Sequence, residues 1–275
     1  MKELESGSFL NPPIPRVWPE TIKVVSWNVN RGLELGGVID FLGDSCADLI
    51  LLQETDIHAR RTELRNIPRE IAQALGMDYI FGLEFQELAQ GSTTTPAYHG
   101  QTTLSRLPLS NPRILRFRNQ SKFWTPRWFI PRWQCLQRRR GGRMALICEI
   151  NLQGKTLAIY NVHLESRGNS NLRIAQLTEM LVDVSARAAH TPVLMTGDFN
   201  FDLSVGPAAE LLASTRVNNL GTSMGRSTVP NGFTRGSRAI DWILTRGALV
   251  AIHSEINSTV TASDHFPLSL EFRFL

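Results

Sequence analysis

Residues 193–200 read Val193-Leu194-Met195-Thr196-Gly197-Asp198-Phe199-Asn200. The first three form a short apolar run of the kind a buried strand carries, and the last four change at once to residues that turn a chain and offer polar groups. A strand ending this way hands a carboxylate and an amide to one mouth of the fold, where a rigid element holds them in place. The same form recurs along the chain. Val24-Val25-Ser26-Trp27-Asn28 ends an apolar run with an amide, and Leu49-Ile50-Leu51-Leu52-Gln53-Glu54 ends one with a carboxylate. Leu157-Ala158-Ile159-Tyr160-Asn161-Val162 leads to His163, Ala239-Ile240 leads to Asp241 in a run that continues to Leu244, and Ser263-Asp264-His265 lies near the C-terminal end. Each fragment alone is an ordinary turn or cap. Strand interiors are poor in Asp, Asn and Glu, so their recurrence in one role points to one site.

Between these runs lie helical periods. Leu177, Met180, Leu181, Val184 and Ala188 repeat at three and four, as do Ile67, Ile71, Ala74 and Leu75. The run from Arg143 to Asn151, then Gln153-Gly154, then Lys155 to Leu164, predicts a hairpin. Strands that pair through tight turns, with helices interspersed, predict two packed sheets covered by helices on their outer faces.

The chain has 275 residues, near the upper size of one hydrophobic core, and nothing in it resembles a linker between two. We therefore expect a single domain over residues 21–275. Residues 1–20 form an extended lead-in, because Pro12, Pro13, Pro15 and Pro19 exclude a helix or central strand. Lys2 is followed by Glu3 and Glu5 without an apolar core, which argues against a secretory signal, and no run reaches the length of a membrane span. Cys46, Cys135 and Cys148 are odd in number and widely spaced, as expected of reduced thiols in a soluble, cytoplasmic protein. Cys46 and Cys148 read as small core residues. His58, His99 and His253 have no motif around them and read as surface histidines, and Asp56 and Asp202 as turn residues.

Taken together, Trp27-Asn28, Gln53-Glu54, Asn161-Val162-His163-Leu164, Gly197-Asp198-Phe199-Asn200, Ile240-Asp241-Trp242 and Ser263-Asp264-His265 resemble the signature of the endonuclease/exonuclease/phosphatase superfamily. That group includes deoxyribonuclease I-like enzymes, apurinic endonucleases, sphingomyelinases and inositol-phosphate phosphatases. The resemblance spans residues 22–268 and implies an α/β fold, a four-layer α/β/β/α sandwich of two mixed sheets with its site at one rim. His163 stands where the apurinic-endonuclease branch has a Tyr motif. His163-Leu164-Glu165-Ser166, with Arg173 and Gln176-Leu177 on a following helix, is more like the branch of tyrosyl-DNA phosphodiesterases and sphingomyelinase-like proteins. Gly100-Gln101-Thr102-Thr103-Leu104-Ser105-Arg106 resembles the family strand ending in Leu-Ser-Arg, which places Arg106 among the substrate contacts.

The resemblance implies metal-dependent phosphodiester hydrolysis, with Mg²⁺ or Mn²⁺ as the hard cation. Glu54 is the expected metal ligand, with Asn28 beside it as ligand or orienter and Asp264 as a further candidate. Asp198 would align or deprotonate the attacking water, and Asn200 would donate to the phosphoryl group. His265 would act as base or, protonated, stabilise developing charge, with Asp241 or Asp264 holding its tautomer, and His163 would touch a non-bridging oxygen or help the leaving group.

Substrate choice is expected in a basic aromatic arm near residues 113–143. From Leu88 to Cys148 there is no Asp or Glu, while Arg113, Arg116, Arg118, Lys122, Arg127, Arg132, Arg138, Arg139, Arg140 and Arg143 crowd the second half. Phe117, Phe123, Trp124, Trp128, Phe129 and Trp133 are interleaved among them. Arginine for phosphate and aromatic faces for bases suit single-stranded nucleic acid, with Trp124, Arg127, Trp128, Arg138, Arg139 and Arg140 as contacts. The same composition suits an anionic membrane surface, or aromatics packed under a loop with solvated arginines. The first reading is therefore a nuclease acting on DNA, with no stable protein partner implied. A phospholipid, sphingomyelinase-like, or sugar- or inositol-phosphate phosphoesterase with peripheral membrane contact is the alternative, and a non-catalytic binding module on the same fold is a third.

Overall fold

The structure, a computed structural model, describes residues 3–10, 20–127, 129, 133, 139–152, 154–221, 227–230 and 238–275. In chain order the first strands are β1 (Leu4–Gly7), β2 (Ile22–Arg31), β3 (Leu49–Ile57), β4 (Asp78–Glu87), β5 (Ala97–Ser105), β6 (Leu109–Arg116) and β7 (Arg139–Gly141). The remainder are β8 (Met144–Leu152), β9 (Lys155–His163), β10 (Val193–Asp198), β11 (Asn218–Asn219), β12 (Asp241–Arg246), β13 (Leu249–Ile256) and β14 (Leu268–Phe274). The helices are α1 (Leu35–Ser45), α2 (Ile67–Leu75), α3 (Ser170–Ser185) and α4 (Gly206–Ser214). The first sheet is ordered β1-β4-β5-β3-β2-β14-β13, with β7 also on β4, and the second β11-β12-β10-β9-β8-β6.

Alternation along the strands explains why the sheets stack. On β3, Leu49 and Leu51 join a core shared with Leu146, Ile159, Leu194 and Ile243 of the second sheet. Ile50 and Leu52 point the other way, onto Val38 and Leu42 of α1 and Ile71 of α2. On β9, Leu157 and Ile159 face the first sheet, whereas Tyr160 and Val162 meet Leu177, Met180 and Val184 of α3. Strands buried on both faces read as continuous apolar runs, and the result is the expected four-layer α/β/β/α sandwich. Among the described residues no helix is long and apolar enough to cross a membrane.

The predicted hairpin is present, with Leu152 paired to Lys155 and Gly154 at φ +83°. Helix α2 starts where Asn66 accepts a hydrogen bond from the Arg69 amide and ends at Gly76 in the left-handed region. It buries Ala72 rather than Ala74, and α3 ends before Ala188. Part of the lead-in is structured, since Leu4–Gly7 adds an edge strand to β4. Cys46 is exposed at the C-terminal end of α1, not in the core, whereas Cys148 is buried and its thiol is pushed up to about 12 by desolvation.

Candidate active site

Polar residues occupy the inter-sheet positions once the strands near one rim. Ser26 and Asn28 continue the parity of Val24, Gln53 that of Leu51, Asn161 and His163 that of Ile159, and Asp198 that of Leu194. Register brings them together. His163 and Asp241 both stand opposite Asp198 on neighbouring strands, and Asn28 stands opposite Gln53. The loop before β14 reaches the same rim, where the Trp27 indole donates to the His265 carbonyl at 2.8 Å and Ser263 Oγ donates to the Asn28 carbonyl at 2.6 Å. Gly197 is required here, because a Cβ at its φ of +145° would collide with the Val162 carbonyl of β9.

Beneath the rim the sheets are tied by directional bonds. Asn161 Nδ2 donates across the interface to the carbonyls of Leu52 at 3.0 Å and Thr102 at 2.9 Å, while its Oδ1 accepts from Gln53 Nε2 at 2.8 Å. Glu54 breaks the alternation. By parity it belongs to the helix face, but the register shifts between Leu52 and Thr55 and Glu54 has φ +54°, a bulge that re-aims its side chain. Burial opposes its charge, yet Arg31 at 3.5 Å, His99, His163 and Arg139 hold the carboxyl well below the usual range.

Asp198 is the hub. Its Oδ2 accepts from Asn28 Nδ2 at 3.2 Å and lies 3.6 Å from His163 Nε2 and 3.8 Å from His265 Nε2, and its Oδ1 accepts from the Asn200 amide at 2.9 Å. Burial raises its carboxyl above the ordinary value. His265 donates from Nδ1 to Asp241 Oδ2 at 2.9 Å, which leaves Nε2 facing Asp198. Burial favours the neutral ring, but Asp241 and Asp198 outweigh it and push His265 up to about 10. Of the two acids expected to hold this tautomer, the structure selects Asp241. Asp264 stands alongside, its Oδ1 accepting from Ser263 Oγ at 3.4 Å. Asn28 is turned as an orienter, its oxygen accepting from the Asn30 amide at 3.1 Å. Asn200 Nδ2 donates to the Leu164 carbonyl at 3.1 Å, so among the described residues one of its two N–H bonds remains for a ligand.

The arm behaves differently. Trp124 is half-buried, donates to Glu165 Oε1 at 2.9 Å and lies under the guanidiniums of Arg139 and Arg143 at 4.8 and 5.8 Å, so it packs into the fold and is no open platform. Arg139 is buried against Glu87 at 2.7 Å. Arg106 belongs to the opposite rim: it follows Ser105, which pairs with Leu49, about 16 Å along β3 from Glu54 at about 3.3 Å per residue. Its side chain donates to the Ala47 carbonyl at 3.2 Å, so the expected substrate contact falls away. Arg127 and Arg140 are exposed. Trp128 and Arg138 lie outside the described residues.

Several site neighbours escaped the sequence reading. Arg143 is buried, with Nη1 at 2.6 Å from Glu84 Oε1 and 2.9 Å from both ring nitrogens of His163. His99 is fully buried, not on the surface, and its Nδ1 lies 2.8 Å from Asp56, which also receives Arg61 at 2.6 Å and is therefore no turn residue. Asp202 does form the expected turn, accepting from the Ser204 amide at 2.8 Å. One signal was available: Glu84 and Glu87 interrupt a strand-like run, where acids are depleted.

The donor set suits a hard divalent cation. Glu54 presents an ionised, partly exposed carboxylate at the rim, and on the facing sheet the carboxylates of Asp198 and Asp241 each offer an oxygen within 4.8 Å of the other. Such an ion would neutralise charge on a phosphoryl group. The fold and rim thus define a metal-dependent phosphoesterase.

The family model described as the Endonuclease/Exonuclease/phosphatase family matches residues 25–265, and the chain belongs to that family. Comparison with curated protein sequences returns no match. Among solved structures, an endonuclease/exonuclease/phosphatase from Beutenbergia cavernae is 14% identical with a TM-score of 0.66, covering 93% of this chain and 72% of its own. Humanized D. rerio TDP2 is 18% identical with a TM-score of 0.62, covering 93% of this chain and 100% of its own. ANGEL2, described as a 2′,3′-cyclic phosphatase and solved with adenosine-2′,3′-vanadate, is 15% identical with a TM-score of 0.65, covering 95% and 99%.

Metal removal provides the first test. EDTA should abolish hydrolysis and added Mg²⁺ or Mn²⁺ restore it, while Glu54→Gln should raise the metal concentration needed for half-maximal activity without lowering the unfolding midpoint. Full activity in a verified metal-free preparation would contradict the donor-set assignment.

Proposed function

We propose that this protein is a Mg²⁺- or Mn²⁺-dependent phosphodiesterase that hydrolyses nucleic acid, most directly single-stranded DNA. The observation that carries this reading is an exposed aromatic ring next to the rim. Phe123 is 60% exposed, and the Arg167 guanidinium lies 4.9 Å over it. Arg167 follows His163 by four residues, and its amide donates at 2.9 Å to Glu165, the carboxylate that also takes the Trp124 indole. A ring with an arginine beside it offers a base a stacking face and a phosphate a cation. The stacking role expected of Trp124 passes to Phe123.

The chemistry follows from the rim. Asp198, fixed by Asn28 and the Asn200 amide, orients the attacking water and accepts its proton, for which a raised pKa is an advantage. His265, kept protonated by Asp241, stabilises charge on the phosphoryl or leaving oxygen. His163 faces the same space, and the free N–H of Asn200 is available to a phosphoryl oxygen. A bound Mg²⁺ or Mn²⁺ supplies further charge neutralisation.

The experiment is a substrate panel: plasmid, single-stranded oligonucleotide, sphingomyelin vesicles and inositol phosphates, each with and without EDTA. We expect cleavage of the oligonucleotide and binding that weakens steeply with salt. Phe123→Ala should cost about 1–3 kcal/mol of oligonucleotide affinity, the scale of one stacked base. The exposed Phe129 and Trp133 make a lipid surface the second reading. Tight vesicle binding with salt-insensitive or absent DNA binding would select it instead.

A further inference from the structure

Two pairs of consecutive arginines meet at one acid. In Arg60-Arg61, Arg61 turns inward and places Nη2 2.9 Å from Glu87 Oε1; in Arg139-Arg140, Arg139 turns inward and places Nε 2.7 Å from the same oxygen. Strand alternation sends Arg140 to the opposite face of β7 from Arg139. Arg60 and Arg140 both line an open cleft of about 550 Å³, together with Glu87, Gly91, Ser92 and Thr93. Glu87 is the only carboxylate among the described lining residues, and its charge is already matched from beneath by Arg139, with Arg61 shared between it and Asp56. No described carboxylate forms an ion pair with Arg60 or Arg140, so the cleft carries net positive charge.

The walls are held in place. The Arg60 amide donates to the Gln90 carbonyl at 3.0 Å, the Arg61 amide to Gln90 Oε1 at 3.1 Å, and the Thr95 amide to Ser92 Oγ at 2.9 Å. The cleft lies at the same end of the first sheet as the rim: Thr55 pairs with Gly100 of β5 and Glu87 with Ala97 of the same strand, about 10 Å along it at about 3.3 Å per residue. Two arginines and the hydroxyls of Ser92 and Thr93 lining one cleft suit the oxygens of a phosphate.

We propose that this cleft is a second phosphate subsite, which holds a phosphate farther along the strand while the scissile one lies at the rim. The assignment rests on the nucleic-acid reading, and it explains how the enzyme would grip a polymer beyond the bond it cuts. Neither arginine need touch the reacting atoms.

The test compares a short single-stranded oligonucleotide with the same oligonucleotide bearing one neutral methylphosphonate, placed in turn at successive linkages flanking the scissile one. The wild type should show KM raised about tenfold by the modification at one of these linkages, the scale of one lost charge-assisted contact, with kcat within about twofold. Arg60→Gln and Arg140→Gln together should raise KM for the unmodified strand by a similar factor and abolish the difference between the two strands. A methylphosphonate effect that persists undiminished in the double variant overturns the subsite. If no oligonucleotide is cleaved, the nucleic-acid reading fails by itself, and titration with inorganic pyrophosphate in EDTA decides the cleft alone. Affinity at least about tenfold weaker in the double variant sustains anion binding there, and equal affinity overturns it.

Discussion

Asp198→Asn should lower turnover at least about a hundredfold, the ordinary scale for removing a positioned acid or base. The amide preserves the hydrogen bond from the Asn200 N–H at 2.9 Å but can neither accept a proton nor offset the charge on His265. His265→Ala should fall at least as far, since it removes the imidazole, raised to about 10, that lies 3.8 Å from Asp198. Asp241→Asn should follow the same direction, because the ring would lose the acceptor at 2.9 Å that fixes its Nδ1 proton. Single-turnover kinetics on the cleaved substrate, with affinity measured separately in EDTA, distinguish lost chemistry from lost binding. Near-normal turnover in any of the three variants would remove that residue from the mechanism.

Glu84→Ala should destabilise the protein by about 3–5 kcal/mol, because it removes the closer of the two carboxylates beside buried Arg143 and leaves only Glu165 at 4.0 Å. Arg143 has its shortest ion pair, 2.6 Å, with Glu84 and is essentially solvent-free. Burial opposes the Glu84 charge, but Arg143 and His163 outweigh it and hold the carboxyl at about 2, below its ordinary 4.5. A depressed carboxylate contributes stability that is complete above its unfolded value and lost as pH falls through the folded one. The stability gap between wild type and Glu84→Gln should therefore be full above pH 4.5 and close as pH falls toward about 2. Urea midpoints across that interval provide the measurement; a gap independent of pH would show that the ion pair is not its source.

Much of the site was legible because a strand's period is two. Asn28, Gln53, Asn161, His163, Asp198 and Asp241 sit where an inward-facing apolar residue would otherwise come, so reading each run to its polar end placed them at one rim. Glu54 was found for the right position in the chain but not for its direction, since a bulge at φ +54° has no marker in Leu52-Gln53-Glu54. Choosing between Asp241 and Asp264 for His265 needed the pairing of β10 with β12, which local sequence does not contain. The Arg143, Glu84 and His163 contacts join residues far apart in the chain, so composition alone places Arg143 in the basic arm. Arg139-Arg140 shows the same limit from the other side. Adjacent identical residues have opposite fates once a strand forms, and charge counting treats them as one.

Asn161 has a consequence for how the two half-sites keep their spacing. Two apolar sheet faces attract each other without a preferred direction, because hydrophobic contact follows the area removed from water and not any one donor–acceptor line. Three hydrogen bonds at 2.8–3.0 Å have such a direction. Placed just under the rim, this amide works as a locating pin between two plates, one carrying Asn28 and Glu54 and the other His163, Asp198 and Asp241. The apolar core can then accept a repacked side chain while the interval between the plates is held where the phosphate must fit.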